Sequence, residues 1–345
     1  MNELPIRAAE QFPLVSVVTP VHNGAPFLHQ CVESVIRQTY PHWEYVIVNN
    51  ASTDDSATIA ERYAAQDGRI RVVHTPAPLP KVDSHNFALR QISPASAYCK
   101  VVHADDWLFP ECLARMVEVA EAHSTVGIVS AYRLVEDVVT LDGLPVTAAC
   151  FPGKEIGRRS LLGELYVFGS PTSLLLRSEI VRARFEFYAD RAPWTDVDVC
   201  YEILKRWDFG FVHQVLTFTR RHDASGTADT ARFGAPILGR LALLRRHGRD
   251  FLTEAERRQR TREVLAQYRR FLLRSFLTGR EKAFWEYHAR GLASAGYPAR
   301  LHLLVLREAG AVLMDLLRSP ISMAGRILAL TRTPDSRRSS AVPRS

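Results

Sequence analysis

Two adjacent carboxylates, Asp105 and Asp106, follow a run of β-branched and aromatic residues at 98–103 (YCKVVH). Paired oxygen ligands at the end of a strand suit a hard divalent cation, and such a cation can neutralise a diphosphate leaving group. The plainer reading is an acidic loop ahead of the helix that Pro110 opens. Asp196 and Asp198 stand at the start of another helical pattern, behind Trp194 and Thr195. A carboxylate there can take the proton of an attacking hydroxyl. Acids at a helix start are also favoured by the dipole, and Thr195-x-x-Asp198 has capping-box spacing. Asn49 and Asn50 close a second strand pattern, where an amide can read the edge of a base or merely form a turn. His22, His85, His103 and His222 are each single histidines, and a single histidine is more often structural than catalytic.

These residues fall at particular places in a strand–helix alternation. Residues 15–21 (VSVVTPV) read as a buried strand. Residues 27–38 carry Leu28, Cys31, Val32, Val35 and Ile36 at helical spacing. Strands are predicted at 44–49, 70–74, 98–103 and 126–132. Helices are predicted from the cap candidates 52–55 to 66, over 84–91, and from Pro110 to 123. Three prolines make 75–80 a loop. This rhythm means a mostly parallel sheet with helices on both faces, and ligands of such sheets lie beyond the carboxyl ends of the strands. Residues 20–23, 49–53 and 103–106 occupy that position. Residues 140–170 read as loop-rich, 172–176 and 210–218 as strands, and 196–207 as a helix. From Pro236 the chain turns to long Leu- and Arg-rich helical patterns, and 333–345 read as a disordered tail. The expected division is an arm at 1–13, an α/β domain at 14–235, a basic helical region at 236–332, and the tail.

The 345 residues are 47% hydrophobic, enough for a sizeable core and too many for a disordered chain. Five scattered cysteines without CxxC spacing argue against a disulfide scaffold or zinc site, and for a reducing compartment. Residues 1–13 lack the basic start and apolar run of a secretory signal, and no run of about 18 apolar residues predicts a spanning helix. Residues 236–345 hold 22 Lys and Arg against 9 Asp and Glu, so the basic excess is concentrated there. An anionic membrane surface is the expected partner of 236–332, with Leu-rich faces inserting and Arg residues meeting head groups. An ordinary helical subdomain or a dimer contact fits the same pattern. The chain is expected in the cytoplasm, peripherally on the inner face of the cell membrane.

The order of the clusters resembles family 2 glycosyltransferases of the GT-A fold. The resemblance rests on the strand and turn at 20–23, Gln38-Thr39-Tyr40, and Asn49-Asn50-Ala51-Ser52-Thr53-Asp54. It continues through His85-Asn86-Phe87-Ala88-Leu89, His103-Ala104-Asp105-Asp106 and Trp194-Thr195-Asp196-Val197-Asp198. It covers roughly residues 14–222. It implies a GT-A α/β fold, a Rossmann-like mixed sheet with helices on both faces, plus a helical C-terminal extension. It implies inverting transfer of a sugar from a nucleotide-diphosphate donor, a UDP-sugar first among them, to an acceptor hydroxyl. Cell-surface polysaccharide or glycolipid assembly is the implied setting, with a glycan or lipid-linked acceptor and Mg²⁺ or Mn²⁺ as cofactor.

By the same resemblance Pro20, Asn23, Asn50, Ser52, Lys81, Asn86 and Asp105 surround the nucleotide sugar. Asp105, Asp106 and His222 hold the metal. Gly169, Ser170 and Trp194 shape the acceptor side, and Asp196 is the general base. Three positions depart from the family's pattern. Asn49-Asn50 replace an Asp-Asp pair, His103 replaces the first Asp of the metal motif, and Thr195 replaces a Glu. A non-catalytic nucleotide-sugar-binding or scaffold protein is the alternative these departures support. A nucleotidyltransferase lacks its basic Gly-rich loop here, since 20–26 (PVHNGAP) has one Gly and no Lys or Arg. A dinucleotide dehydrogenase lacks GxGxxG, and nucleic acid is not an expected partner because the basic region has no interleaved aromatic pattern.

Overall fold

A computed structural model describes residues 12–189, 192, 194–222 and 233–318. The tail at 333–345 and nearly all of the arm at 1–13 lie outside them. The chain divides into two compact units, one of Met1–Ser160 with Leu165–Arg221 and one of Leu161–Glu164 with His222–Ser345. The break in sequence thus falls at Arg221–His222, whereas the reading of composition places it at 235–236.

In the first unit, β1 (Val15–Val21) and β2 (Trp43–Asn49) are buried along almost their whole length, as expected of strands covered on both faces. Between them α1 (Ala25–Ile36) buries Leu28, Cys31, Val32 and Val35, the i, i+3, i+4, i+7 stripe of an amphipathic helix. The alternation continues through α2 (Ser56–Gln66), β3 (Ile70–His74), α3 (Lys81–Leu89) and β4 (Tyr98–Val101). Then come β5 (Trp107–Leu108), α4 (Cys112–Ala122), β6 (Val126–Val135), β7 (Val138–Thr140), β8 (Cys150–Phe151) and α5 (Gly153–Leu162). β9 (Leu175–Arg177), α6 (Ser178–Arg182), α7 (Thr195–Leu204) and β10 (Asp208–Thr219) complete it.

The sheet runs β3-β2-β1-β4-β9-β6-β10-β5, with β7 on β6 and β8 on β10. β3, β2, β1 and β4 are mutually parallel, and β10 is parallel to β6. β9 is antiparallel to both neighbours, so the sheet is mixed. The parallel block gathers the carboxyl ends of β2, β1 and β4 at one edge, which is where the polar clusters begin. Gln38, in the loop after α1, ties that loop to the turn after β5. Its amide nitrogen donates to Phe109 O at 2.9 Å and its oxygen accepts from Leu113 N at 2.9 Å.

The region at 140–170 is more regular than its glycines and prolines suggest, because it contains α5. Gly153 is required there by close approach: a Cβ would fall 2.0 Å from Trp207 O. Its N–H donates to Asp208 Oδ1 at 3.1 Å. The expected strand at 172–176 is instead a 3-10 turn, Pro171–Ser173, followed by β9. Helix α7 is capped by Trp194 with no side-chain cap bond, so the Thr195-x-x-Asp198 capping box does not form.

The second unit holds α8 (Ala235–Phe251), α9 (Glu254–Leu277), α10 (Lys282–Ser294) and α11 (Leu301–Arg318). Thr253 and Glu256 form a reciprocal capping box that starts α9. Tyr268, Phe284 and His288 are fully or almost fully buried. His288 Nδ1 lies 2.8 Å from Tyr268 Oη, and its Nε2 lies 2.8 Å from Phe233 O. No helix among the described residues is long and apolar enough to cross a membrane.

Candidate active site

The turns after β1 and β2 are laced together by side chains that accept from backbone. Asn23 N–H donates to Ser52 Oγ at 3.0 Å, Gly24 N–H to Ser56 Oγ at 2.9 Å, and Ala25 N–H to Asp54 Oδ2 at 3.0 Å. In return Asn23 Oδ1 accepts from Thr53 N–H at 2.8 Å. Asn23 adopts positive φ (53°), which Asn tolerates. Pro20 sits beside Val48 in the β1–β2 register, one step before this lacing.

Asn50 and Asn86 are each 4% exposed, and each uses its whole amide to grip a distant peptide. Asn50 Nδ2 donates to Leu79 O at 2.9 Å while Oδ1 accepts from Leu79 N–H at 2.7 Å and from Thr75 Oγ1 at 3.1 Å. Asn86 Nδ2 donates to Tyr188 O at 2.9 Å and its Oδ1 accepts from Tyr188 N–H at 2.8 Å. Both acceptor oxygens are therefore committed to the protein, and both residues hold loops at the strand edge.

The metal motif occupies the loop from β4 to β5. Nitrogen or oxygen ligand atoms of His103, Asp105 and Asp106 all lie within 4.8 Å of one another. Asp106 is 2% exposed, and its Oδ2 is buried with no hydrogen-bond partner. That oxygen faces His103 Nδ1 at 3.9 Å. Burial, and then the neighbouring Asp105 charge, push the Asp106 carboxyl up to about 7. An orphaned carboxylate oxygen beside a second carboxylate and an imidazole fits a divalent cation, which would relieve that cost. The nitrogen donor makes the set softer than one of oxygens alone, which suits Mn²⁺ better than Mg²⁺.

Residues on other elements hold this loop in place. Lys100 is fully buried, with Nζ 2.7 Å from Thr172 O and 3.5 Å from Met116 Sδ, and burial lowers its pKa. Thr172 Oγ1 accepts from His103 N–H at 3.1 Å. Arg220 N–H donates to Asp106 Oδ1 at 3.2 Å and its Nε to Asp105 O at 3.3 Å, while the guanidinium lies over Phe27 and Trp107. His85 Nε2 meets His103 Nε2 at 3.2 Å, and burial holds both imidazoles well below their ordinary pKa, His85 at about 4. Only the buried, β-flanked placement of Lys100 left a trace in the sequence. The partners of Arg220 and Thr172 are more than sixty residues away in the chain.

Asp196 is in the first turn of α7, and burial raises its pKa; Val197 N–H donates to its Oδ1 at 2.9 Å. Lys81, the first residue of α3, acts electrostatically on Asp196, His85 and His103, and Arg133 acts on both Asp196 and Asp106. The base candidate and the metal motif therefore share one electrostatic neighbourhood. Gly169 has φ +68°, its carbonyl accepts from Tyr166 Oη at 2.9 Å, and the adjacent Ser170 Oγ is buried without a partner. Trp194 O accepts from Asp198 N–H at 2.9 Å. His222 opens the second unit.

Similarities to known proteins follow the same segment. The family described as Glycosyl transferase family 2 matches residues 16–185. The uncharacterized glycosyltransferase EpsJ of Bacillus subtilis is 36% identical over 109 residues, 32% of this chain and 31% of that protein. Glycosyltransferase GlyG of Streptococcus pneumoniae is 33% identical over 117 residues, 33% of this chain and 38% of its own. TuaG of B. subtilis, a glycosyltransferase provisionally assigned to teichuronic acid biosynthesis, is 31% identical over 134 residues, 39% of this chain and 51% of that one. The chain thus spans between 31% and 51% of the length of these relatives. S. aureus TarS 1–349, solved with UDP-GlcNAc, aligns over 84% of this chain and 83% of its own, with TM-score 0.59 and 15% identity. The mannosyltransferase PcManGT of Pyrobaculum calidifontis, solved with GDP-Man and Mn²⁺, aligns over 88% of each chain with TM-score 0.51 and 18% identity. These structures share the GT-A fold, and residues 16–185 of the chain are similar to glycosyl transferase family 2.

Proposed function

We propose that the protein transfers a sugar from a nucleotide-diphosphate donor to an acceptor hydroxyl with inversion. The observation that carries this reading is the cluster of His103, Asp105 and Asp106, with its orphaned buried oxygen at the carboxyl end of β4. His103, Asp105 and Asp106 would hold a divalent cation, which would supply charge neutralisation for the diphosphate leaving group. Pro20, Asn23 and Ser52 shape the nucleotide side, and Lys81 adds positive charge. Asn50 and Asn86 act by holding the loops that close over the donor. Asp196 takes the proton of the acceptor hydroxyl as its oxygen bonds to the anomeric carbon and the bond from that carbon to the diphosphate oxygen breaks. Burial raises the pKa of Asp196, which strengthens it as a base. Gly169, Ser170 and Trp194 border the acceptor. A UDP-sugar is the first donor to try, since TarS was solved with UDP-GlcNAc. The TuaG similarity supports a surface polysaccharide as the product.

Calorimetric titration with UDP, GDP and dTDP, each with and without Mn²⁺, tests the reading. One nucleotide is expected to bind with Mn²⁺ and to lose roughly tenfold or more in Asp105→Ala. Binding indifferent to both metal and Asp105 would replace the transferase with a nucleotide-sugar-binding scaffold.

For the basic helices, the reading is attachment to an anionic membrane surface. Leu303, Leu306 and Met314 of α11 are 46%, 65% and 49% exposed and lie on one stripe of that helix. Arg300 and Arg307 lie beside them in sequence. The full chain should float with anionic liposomes, and Leu303→Ser/Leu306→Ser should not.

A further inference from the structure

A cavity of about 360 Å³ lies in the first unit, outside the metal motif. Its floor is apolar: Leu89, Ile92, Val181 and Phe187 are all under 9% exposed. Its rim carries three guanidinium groups, Arg90, Arg182 and Arg184. Arg182 is committed to the fold, donating to Ser96 O at 3.0 Å and Ser93 O at 3.3 Å. Arg90 and Arg184 are not. Among the described residues no carboxylate pairs with either, and Arg90 lies 5.3 Å from the ring centre of Phe185. Phe185 itself is 82% exposed, the most exposed large hydrophobic residue among those described.

Two unpaired guanidinium groups over an apolar floor, with an exposed aromatic ring at the rim, are complementary to one kind of ligand. The charge calls for an oxyanion that can accept paired N–H donors, and the floor and Phe185 call for an apolar body attached to it. Phe187 is a wall of this cavity and also of the small cavity beside Asp196 and Tyr188. Asn86, which grips Tyr188, also lines it. The site therefore adjoins the side of the molecule on which the acceptor hydroxyl would meet Asp196.

We infer that this cavity binds a phosphate ester of an apolar alcohol, with Arg90 and Arg184 on the phosphate and Phe185 on the carbon chain, and that it anchors the acceptor. The acceptor assignment rests on the transferase reading; the binding itself does not. Titration of the full chain with octyl phosphate, glucose 1-phosphate and octyl glucoside, without nucleotide, tests it. Octyl phosphate should bind at least roughly tenfold more tightly than either of the other two, since each carries only half of the required chemistry. Arg90→Gln/Arg184→Gln should weaken it roughly tenfold or more, and Phe185→Ser severalfold. UDP binding and the melting temperature should be unchanged in both variants. Octyl phosphate binding that is absent, or equal in wild type and variants, would overturn the inference. Glucose 1-phosphate binding as well as octyl phosphate would also overturn it, by showing a bare oxyanion site. If UDP fails to bind the wild type while octyl phosphate binds as described, the transferase reading fails and the cavity's ligand class stands.

Discussion

Both units bury histidines whose imidazoles are held far below their usual pKa by burial, and the surroundings of those rings differ in a telling way. In the second unit His288 is pushed down to about 4, and both of its nitrogens have partners at 2.8 Å, Tyr268 Oη and Phe233 O. In the first unit His103 meets another depressed imidazole, His85, and on its other side faces a carboxylate oxygen that has no hydrogen bond. His288 is fully buried, whereas His103 keeps 22% of its side chain exposed. Hydrogen bonding separates them further: a finished network stabilises a fold, whereas an unfinished one around a buried carboxylate leaves room for a further component. The contrast fits His288 to stability and the His103 cluster to the proposed chemistry.

The strongest way to break this contrast is to remove the base. Asp196→Asn should lower transfer by about 10²–10⁴-fold, with metal-dependent nucleotide binding and melting temperature kept. A variant that transfers normally would move the base elsewhere. Next in size is the satisfied histidine. His288→Leu leaves the buried Tyr268 hydroxyl without its partner, and should cost about 1–3 kcal/mol in denaturant unfolding while leaving UDP binding intact. If it weakens UDP binding and spares stability, the division of labour drawn here is reversed.

A third test sharpens the contrast through pH. His288 has a folded pKa of about 4, below the ordinary value near 6.5 for an unfolded chain. Its contribution is present above about pH 6.5 and is lost as pH falls towards 4. Asp106, at about 7 in the fold against about 3.9 unfolded, acts in the opposite sense. Its contribution is present below about pH 4 and is lost as pH rises through 7. In chelator-treated protein, calorimetry should show His288→Leu flattening the acid-side loss of stability and Asp106→Asn flattening the alkaline-side loss.

Much of this was legible in the amino acids. The β-branched runs of β1 and β2 and the apolar stripe of α1 announce themselves, because both depend on local spacing. Helix α5 did not, because Pro152, Gly153 and Gly157 signal a loop, while the need for Gly153 comes from Trp207, fifty-four positions on. The position of His103 read as the loss of a carboxylate. That its ring would turn towards Asp106 depends on the packing of His85 and Thr172. For Asn50 and Asn86 the sequence reading expected a place at the nucleotide, and their grip on backbone was not legible, since the partners lie 29 and 102 residues away.

Those two asparagines have a consequence for how such a molecule changes over time. Each grips a peptide group, Leu79 or Tyr188, and neither bond involves the partner's side chain. The grip is therefore indifferent to which amino acid occupies 79 or 188, provided it keeps an N–H, which excludes proline alone. So far as this grip is concerned, 79 and 188 can change while the path of the backbone is kept, although Tyr188 is itself buried. A scaffold fastened in this manner can drift from one substrate to another without first having to rediscover its shape.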